Sequence, residues 1–166
     1  MQGASFRAAV FTGLLLTLAG GTASADGLGA PAVACDYLDT QGLKARDGYR
    51  QTGSAYACHS QRKVLIGGGL VNNSIRFVAR GDQDRVTSLR LELMVNSREA
   101  VQRAHRSLVE HADSLMQAAL QRGLPGEIES AILAATAGEW TDAGRRITLK
   151  KIVSGAPVYE LRFTIE

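Results

Sequence analysis

The stretch Val86-Thr-Ser-Leu-Arg-Leu-Glu-Leu-Met-Val-Asn96 decides the fold, because its side chains alternate between two faces. Leu89, Leu91 and Leu93 share one phase of this alternation, whereas Arg90 and Glu92 fall on the other. A period of two is typical of a β-strand that packs one face on a core and leaves the other wet or paired. The stretch therefore predicts a sheet with one dry face and one polar face.

Further strands are predicted on both sides of this stretch from the same period of two and from the turn residues between them. They cover residues 55–60, 63–66, 74–80, 146–153 and 158–166. The run Gly67-Gly68-Gly69 indicates a bulge or turn. The residues "SGAP", 154–157, join the last two strands into a terminal β-hairpin.

Two long apolar stripes predict helices. The first helix follows Asn96 or Ser97 as a cap, with Glu99 in the capping-box position, and is expected to end near Arg122 before Gly123. The second is opened by Pro125. A short helix that begins at residue 36 and breaks at residue 42 is also indicated. The expected fold class is α+β: a largely antiparallel sheet of about five strands with two helices packed on one face.

The N-terminus has the pattern of a cleavable signal peptide over residues 1–25. A basic start containing Arg7 precedes an apolar run over residues 8–19, and Ala23-Ser24-Ala25 has the small-x-small form of a cleavage site, so cleavage is expected before Asp26. The alternatives are an uncleaved anchor, whose apolar run is short for a bilayer, and a lipoprotein acylated at Cys35. Residues 26–34 are expected to be a flexible mature N-terminus, and residues 35–166 a single domain.

Export determines the interpretation of the two cysteines, Cys35 and Cys58. In an oxidising compartment they are expected to form one disulfide. The alternative is that Cys58 is a catalytic thiol beside His59, but neighbouring residues on a strand point to opposite faces. The sequence therefore favours a structural disulfide and predicts no catalytic residue.

No cofactor and no metal site are predicted. His105 and His111 are six residues apart on a predicted helix, which turns them away from the spacing that two metal ligands need. The glycine run lacks the lysine and hydroxyl of a phosphate-binding loop.

The charge of the chain is weakly positive, with 19 Lys+Arg against 16 Asp+Glu, and the basic residues are scattered. Together with a low aromatic content, this argues against nucleic-acid binding. The polar strand phases nevertheless carry arginines that, with a histidine, form a possible binding surface for an acidic partner: Arg76, Arg80, Arg90, Arg162 and His59. The alternative is that these arginines pair with Glu92 and Glu160 and only keep the face hydrated.

These observations predict an exported, periplasmic or secreted protein without enzymatic activity and without stable membrane insertion after signal cleavage. Its expected role is a protein-binding or accessory module of the cell envelope, such as an inhibitor, an immunity factor or an assembly factor. Two alternatives remain. One is a small envelope hydrolase that gathers His59, His105 or His111. The other is a small-ligand carrier with a pocket lined by Leu115, Ile132 and Tyr159.

Overall fold

The computed structural model describes residues 27–65, 72–155 and 158–166. The predicted signal peptide, its cleavage site before Asp26 and the run Gly67-Gly68-Gly69 lie outside these residues.

Eight strands and three helices make up the described part of the chain. The strands are β1 (Arg50–Thr52), β2 (Ala55–His59), β3 (Lys63–Leu65), β4 (Asn73–Gly81), β5 (Val86–Val95), β6 (Gly138–Asp142), β7 (Arg145–Gly155) and β8 (Val158–Ile165). The helices are α1 (Pro31–Cys35), α2 (Val101–Leu120) and α3 (Gly126–Ala134).

All strands belong to one antiparallel sheet, with the order β1-β2-β4-β5-β8-β7-β6 and with β3 paired to β4. The α+β class and the antiparallel pairing are confirmed. The expected number of about five strands was wrong, because the sheet has eight. Strand β1 is exposed along its whole length and β6 contains two charged residues, so neither has the apolar alternation that the prediction used.

The core lies on one face of the sheet, beneath the helices. Alternate residues of the central strands, such as Phe77, Leu91 and Phe163, are fully buried there. They meet Leu108 and Leu115 of α2 in one cluster. The alternation around Val86–Val95 therefore predicted the buried face of the sheet correctly.

The N-terminal segment differs from the flexible tail expected over residues 26–34. In the structure Leu28 is buried, its N–H donates to the carbonyl of Val86 at 2.8 Å, and Pro31–Cys35 forms α1. The small residues that indicated flexibility are small enough to pack, and Ala34 is completely buried. The predicted helix from residue 36 is instead a series of turns.

Helix α2 also begins later than expected. The backbone N–H groups of Asn96 and Ser97 donate to Oδ1 of the buried Asn73, at 2.8 Å and 2.9 Å, instead of opening a helix. The N-cap is Ala100, which makes no side-chain capping bond. None of the helices described for residues 27–65, 72–155 and 158–166 is long and apolar enough to span a membrane.

Candidate functional site

The face of the sheet opposite the helices, called the outer face below, carries most of the polar residues of the central strands. Its members follow from the strand register and the alternation of buried positions: His59, Arg76, Val78, Arg80, Ser88, Arg90, Glu92, Glu139, Thr141, Arg146, Thr148, Lys150, Glu160, Arg162 and Thr164. Arginines outnumber carboxylates on this face, so it is positively charged.

Glu92 organises the arginines at the centre of the outer face. Its side chain is only 5% exposed, and its Oε2 accepts a hydrogen bond from Arg76 Nε at 2.6 Å. Arg62 Nη2 lies 3.6 Å from the same oxygen, and Arg90 Nη1 lies 3.7 Å from Oε1. Burial raises the pKa of Glu92, but the Arg76 hydrogen bond and the charges of Arg76, Arg162 and Arg90 outweigh it, so the pKa lies below its usual value. Glu92 is therefore ionised at neutral pH.

Arg162 is held by a second carboxylate. Its Nε donates to Glu160 Oε1 at 2.9 Å, and its Nη2 lies 2.7 Å from the same oxygen. Arg162 also faces Glu92 across β5 and β8. Its guanidinium is therefore engaged within the outer face.

A recess of about 230 Å³ opens beside Glu92, between β1, β2, β4 and β5. It is lined by Thr52, Ala57, His59, Arg76, Val78, Arg80, Ser88, Arg90 and Glu92. The side chain of Arg80 is exposed and makes no hydrogen bond or ion pair within the described parts of the chain. Arg90 Nε is buried and lacks an acceptor among the same residues. The recess thus combines two guanidinium groups that are poorly satisfied.

Four of the five residues predicted for the binding surface line this recess, namely His59, Arg76, Arg80 and Arg90, while Arg162 lies outside it. Sequence reasoning missed Ser88, Thr52 and Arg62. Ser88 sits directly opposite Arg80 and shares the polar phase of β5, so the alternation could have found it. No comparable signal existed for Thr52 on the unpredicted β1 or for Arg62 in the loop before β3.

The predicted disulfide between Cys35 and Cys58 is present, with their Cα atoms 6.0 Å apart. It joins the end of α1 to β2. Cys58 pairs with the buried Ala79, whereas His59 is exposed on the outer face, as strand geometry predicted. Cys58 therefore has no free thiol, and the side chain of its neighbour His59 lies on the opposite face of the sheet.

His105 is buried between α2, α3 and β8. Its Nδ1 lies 3.0 Å from the carbonyl of Leu133, which can only accept, so Nδ1 carries the proton of the neutral ring. Nε2 then accepts from the hydroxyl of Tyr159 at 2.7 Å. Burial lowers the pKa of His105. The hydrogen bond to the carbonyl of Leu133 opposes this shift, and the charge of Lys151 adds a smaller lowering. The ring is satisfied as a neutral group.

His111 has a different environment on the same helix. Its Nδ1 donates to the carbonyl of Ser107 at 2.6 Å, and its buried Nε2 has no partner in the described ranges. Burial and the charge of Lys63 lower its pKa.

The histidines of the hydrolase alternative are not brought together. His59 lies on the outer face, whereas His105 and His111 lie on the helix side of the sheet, each with its own backbone partner. Among the residues that the structure describes, no group of three or more His, Cys, Asp or Glu could hold a metal ion.

The residues expected to line the pocket of a small-ligand carrier also do not form one. Leu115 and Ile132 are fully buried in the closed core, and the hydroxyl of Tyr159 is bonded to His105. The recess on the outer face is formed by other residues.

Comparison with known proteins places the chain in a family. A family model described as "Family of unknown function (DUF6030)" matches residues 28–164. The chain belongs to DUF6030. The matched range begins at the buried Leu28 and includes all the described strands and helices of this DUF6030 protein except the last residue of β8. No curated protein and no solved structure gives a significant match.

Proposed function

We propose that this protein is an exported, non-enzymatic binding module of the cell envelope, whose outer face binds an acidic surface of a partner protein. The observation that carries the proposal is the unbalanced charge of that face. Arg62, Arg76, Arg80, Arg90 and Arg162 surround only two carboxylates, those of Glu92 and Glu160.

The arrangement of the charges supports binding better than mere hydration. Glu92 pairs with Arg76, and Glu160 pairs with Arg162. The side chain of Arg80 is exposed and has no partner among the described residues. Charge that is left over after internal pairing attracts an oppositely charged partner and orients it. Long arginine side chains fixed by neighbours also lose less conformational freedom when a partner binds.

The compartment is part of the same proposal. A disulfide between Cys35 and Cys58 fits an oxidising environment, and the first 25 residues have the pattern of a cleavable signal. A periplasmic or secreted location therefore agrees with both features.

The experiment is a capture from solubilised cell envelope with the immobilised mature protein, comparing wild type with Arg80→Glu and Arg146→Glu. Arg146 is an exposed arginine of β7 that pairs with Glu139 at the far edge of the same face, away from the recess, and its reversal changes the net charge by the same amount. We expect one protein to be retained at a stoichiometric level by wild type and Arg146→Glu and lost with Arg80→Glu. Equal retention by all three proteins would show that the outer face is not the binding surface.

A further inference from the structure

We propose that the recess between Arg80 and Arg90 is a subsite for a single carboxylate, supplied by an Asp or Glu side chain of the partner. The source of the carboxylate rests on the function proposed above. The ability of the recess to bind a carboxylate rests on its own geometry.

The strand register brings the two arginines to one place. Arg80 pairs with Ser88, and Val78 pairs with Arg90, so Arg80 and Arg90 are diagonal neighbours on β4 and β5. Diagonal positions in an antiparallel pair are about 7–8 Å apart at the backbone, which arginine side chains span easily. Both guanidinium groups can therefore reach one anion in the recess.

Both arginines have donors to spare. The guanidinium of Arg80 has no hydrogen-bond or ion-pair partner among the described residues, and Arg90 Nε is buried without an acceptor there. The contact between Arg90 Nη1 and Glu92 is 3.7 Å, longer than a hydrogen bond. Buried donors without acceptors are rare in proteins, and a ligand oxygen would satisfy one here after a small rotation of the Arg90 side chain. Ser88 lines the same recess opposite Arg80, so its hydroxyl is available as a further donor.

Size and charge select the ligand. A volume of about 230 Å³ is below the usual range for drug-sized ligands and suits the end of one side chain. Glu92 lines the same recess, and its ionised carboxylate repels a dianion more strongly than a monoanion. The structure therefore favours a carboxylate over a phosphate monoester.

The test uses the disulfide-bonded mature protein and follows the side-chain Nε–H signals of its arginines by NMR during titration with acetate. We expect saturable shifts of the Arg80 and Arg90 signals. Affinity should fall about tenfold in Arg80→Gln and in Ser88→Ala by a smaller factor, while Arg146→Gln should bind like wild type. The side chain of Arg80 is exposed and has no partner in residues 27–65, 72–155 and 158–166, so we expect its replacement to leave the fold intact, and unchanged thermal unfolding verifies this.

Inorganic phosphate serves as the competing probe. Tighter binding of phosphate than of acetate would overturn the choice of carboxylate, and unshifted Arg80 and Arg90 signals with both anions would overturn the subsite. This result is separate from the capture experiment. If the protein binds acetate but captures no protein, the proposal of a protein partner is contradicted. If it captures a protein in a way that depends on Arg80 but does not bind acetate, the proposal of a carboxylate subsite is contradicted.

Discussion

Arg76 and Glu92 face each other across β4 and β5, and their side chains are joined by a hydrogen bond of 2.6 Å between Nε and Oε2. Glu92 is nearly buried, whereas Arg76 is 36% exposed, so the pair extends from the sheet surface toward solvent. Because other arginines lie around the same carboxylate, this pair fixes the positions of the charges on the outer face.

Replacing Glu92 by Gln is expected to destabilise the protein by about 1–3 kcal/mol, because the amide can still accept a hydrogen bond but lacks the buried negative charge that pairs with Arg76. Chemical unfolding at neutral pH measures the change. Glu139→Gln is the matched control, since the Glu139–Arg146 pair is exposed on both sides and should contribute less than about 1 kcal/mol. Equal losses in the two variants would show that Glu92 has no special structural role.

Glu92 also predicts a loss of stability in acid. The pKa of Glu92 is lower in the folded protein than in the unfolded chain, where it is about 4.3. The ionised carboxylate therefore contributes its full stabilisation above the unfolded pKa, and this contribution is lost as the pH falls through the folded pKa. Unfolding free energies measured between pH 5 and pH 3 should fall less steeply in Glu92→Gln than in wild type. Parallel curves would contradict the assignment of this acid sensitivity to Glu92.

The buried histidines predict a second pH dependence at milder pH. Burial lowers the pKa of His105 and of His111, so the unfolded chain binds more protons below its ordinary value of about 6.5. The free energy of unfolding is therefore unaffected by these histidines above that pH. It falls as the pH decreases below it, by at most about 1.4 kcal/mol per pH unit for each histidine. His111→Gln should reduce the slope of unfolding free energy against pH between pH 6.5 and pH 5.5, and an unchanged slope would contradict the contribution of this buried ring.

The disulfide predicts a large effect of removing both cysteines. Cys35 and Cys58 are 23 positions apart, and closing a loop of this length is worth roughly 3 kcal/mol. The double variant Cys35→Ala/Cys58→Ala should lose about that amount in urea unfolding. Thiol titration of the exported wild-type protein under denaturing conditions should find no free thiol, and two free thiols would refute the bond in the cell.

The close backbone packing around Gly81 predicts that a larger residue at this position will disturb the recess. Gly81 lies at the register shift next to Arg80, and a Cβ there would overlap the carbonyl oxygen of Arg85 and lie 2.9 Å from the backbone nitrogen of Thr87. Gly81→Ala should cost about 1–3 kcal/mol and weaken acetate binding. Gly126→Ala, where a Cβ meets no atom within 4 Å, is the control and should keep both properties.

The export hypothesis predicts a mature N-terminus at Asp26. Mass spectrometry of the protein recovered from an envelope extract should show the loss of residues 1–25. Ala25→Phe should block cleavage, whereas Ser24→Phe, at the unconstrained middle position of the site, should not. A full-length protein in wild-type cells would exclude the cleavable signal.

Sequence periodicity predicted the buried half of the fold well. The alternation of Leu89, Leu91 and Leu93 placed the core face correctly, and the terminal hairpin of β7 and β8 was found at nearly its observed bounds. Strands β1 and β6 were not predicted, because they are edge strands, whose backbone pairing needs no apolar face. The packing of Leu28 against Val86 could not be foreseen, because it depends on a contact between distant parts of the chain.

The candidate site was predictable only in part. The polar phases of β4 and β5 identified Arg76, Arg80 and Arg90, because alternation alone assigns them to one face. Which arginine is neutralised depends on cross-strand register, and a sequence does not give register. The pairing of Arg162 with Glu160 therefore emerged only from the structure, as did the lack of a partner for the Arg80 side chain within the described ranges.

The position of β8 has a consequence for how the chain acquires its shape. This strand is the last of the described strands in sequence, yet it lies between β5 and β7 and joins the two halves of the sheet. A chain that emerges N-terminus first leaves the edge of β5 open until residues 158–165 arrive. Completion of the sheet is thereby postponed until β8, the strand that bridges β5 and β7, has been made.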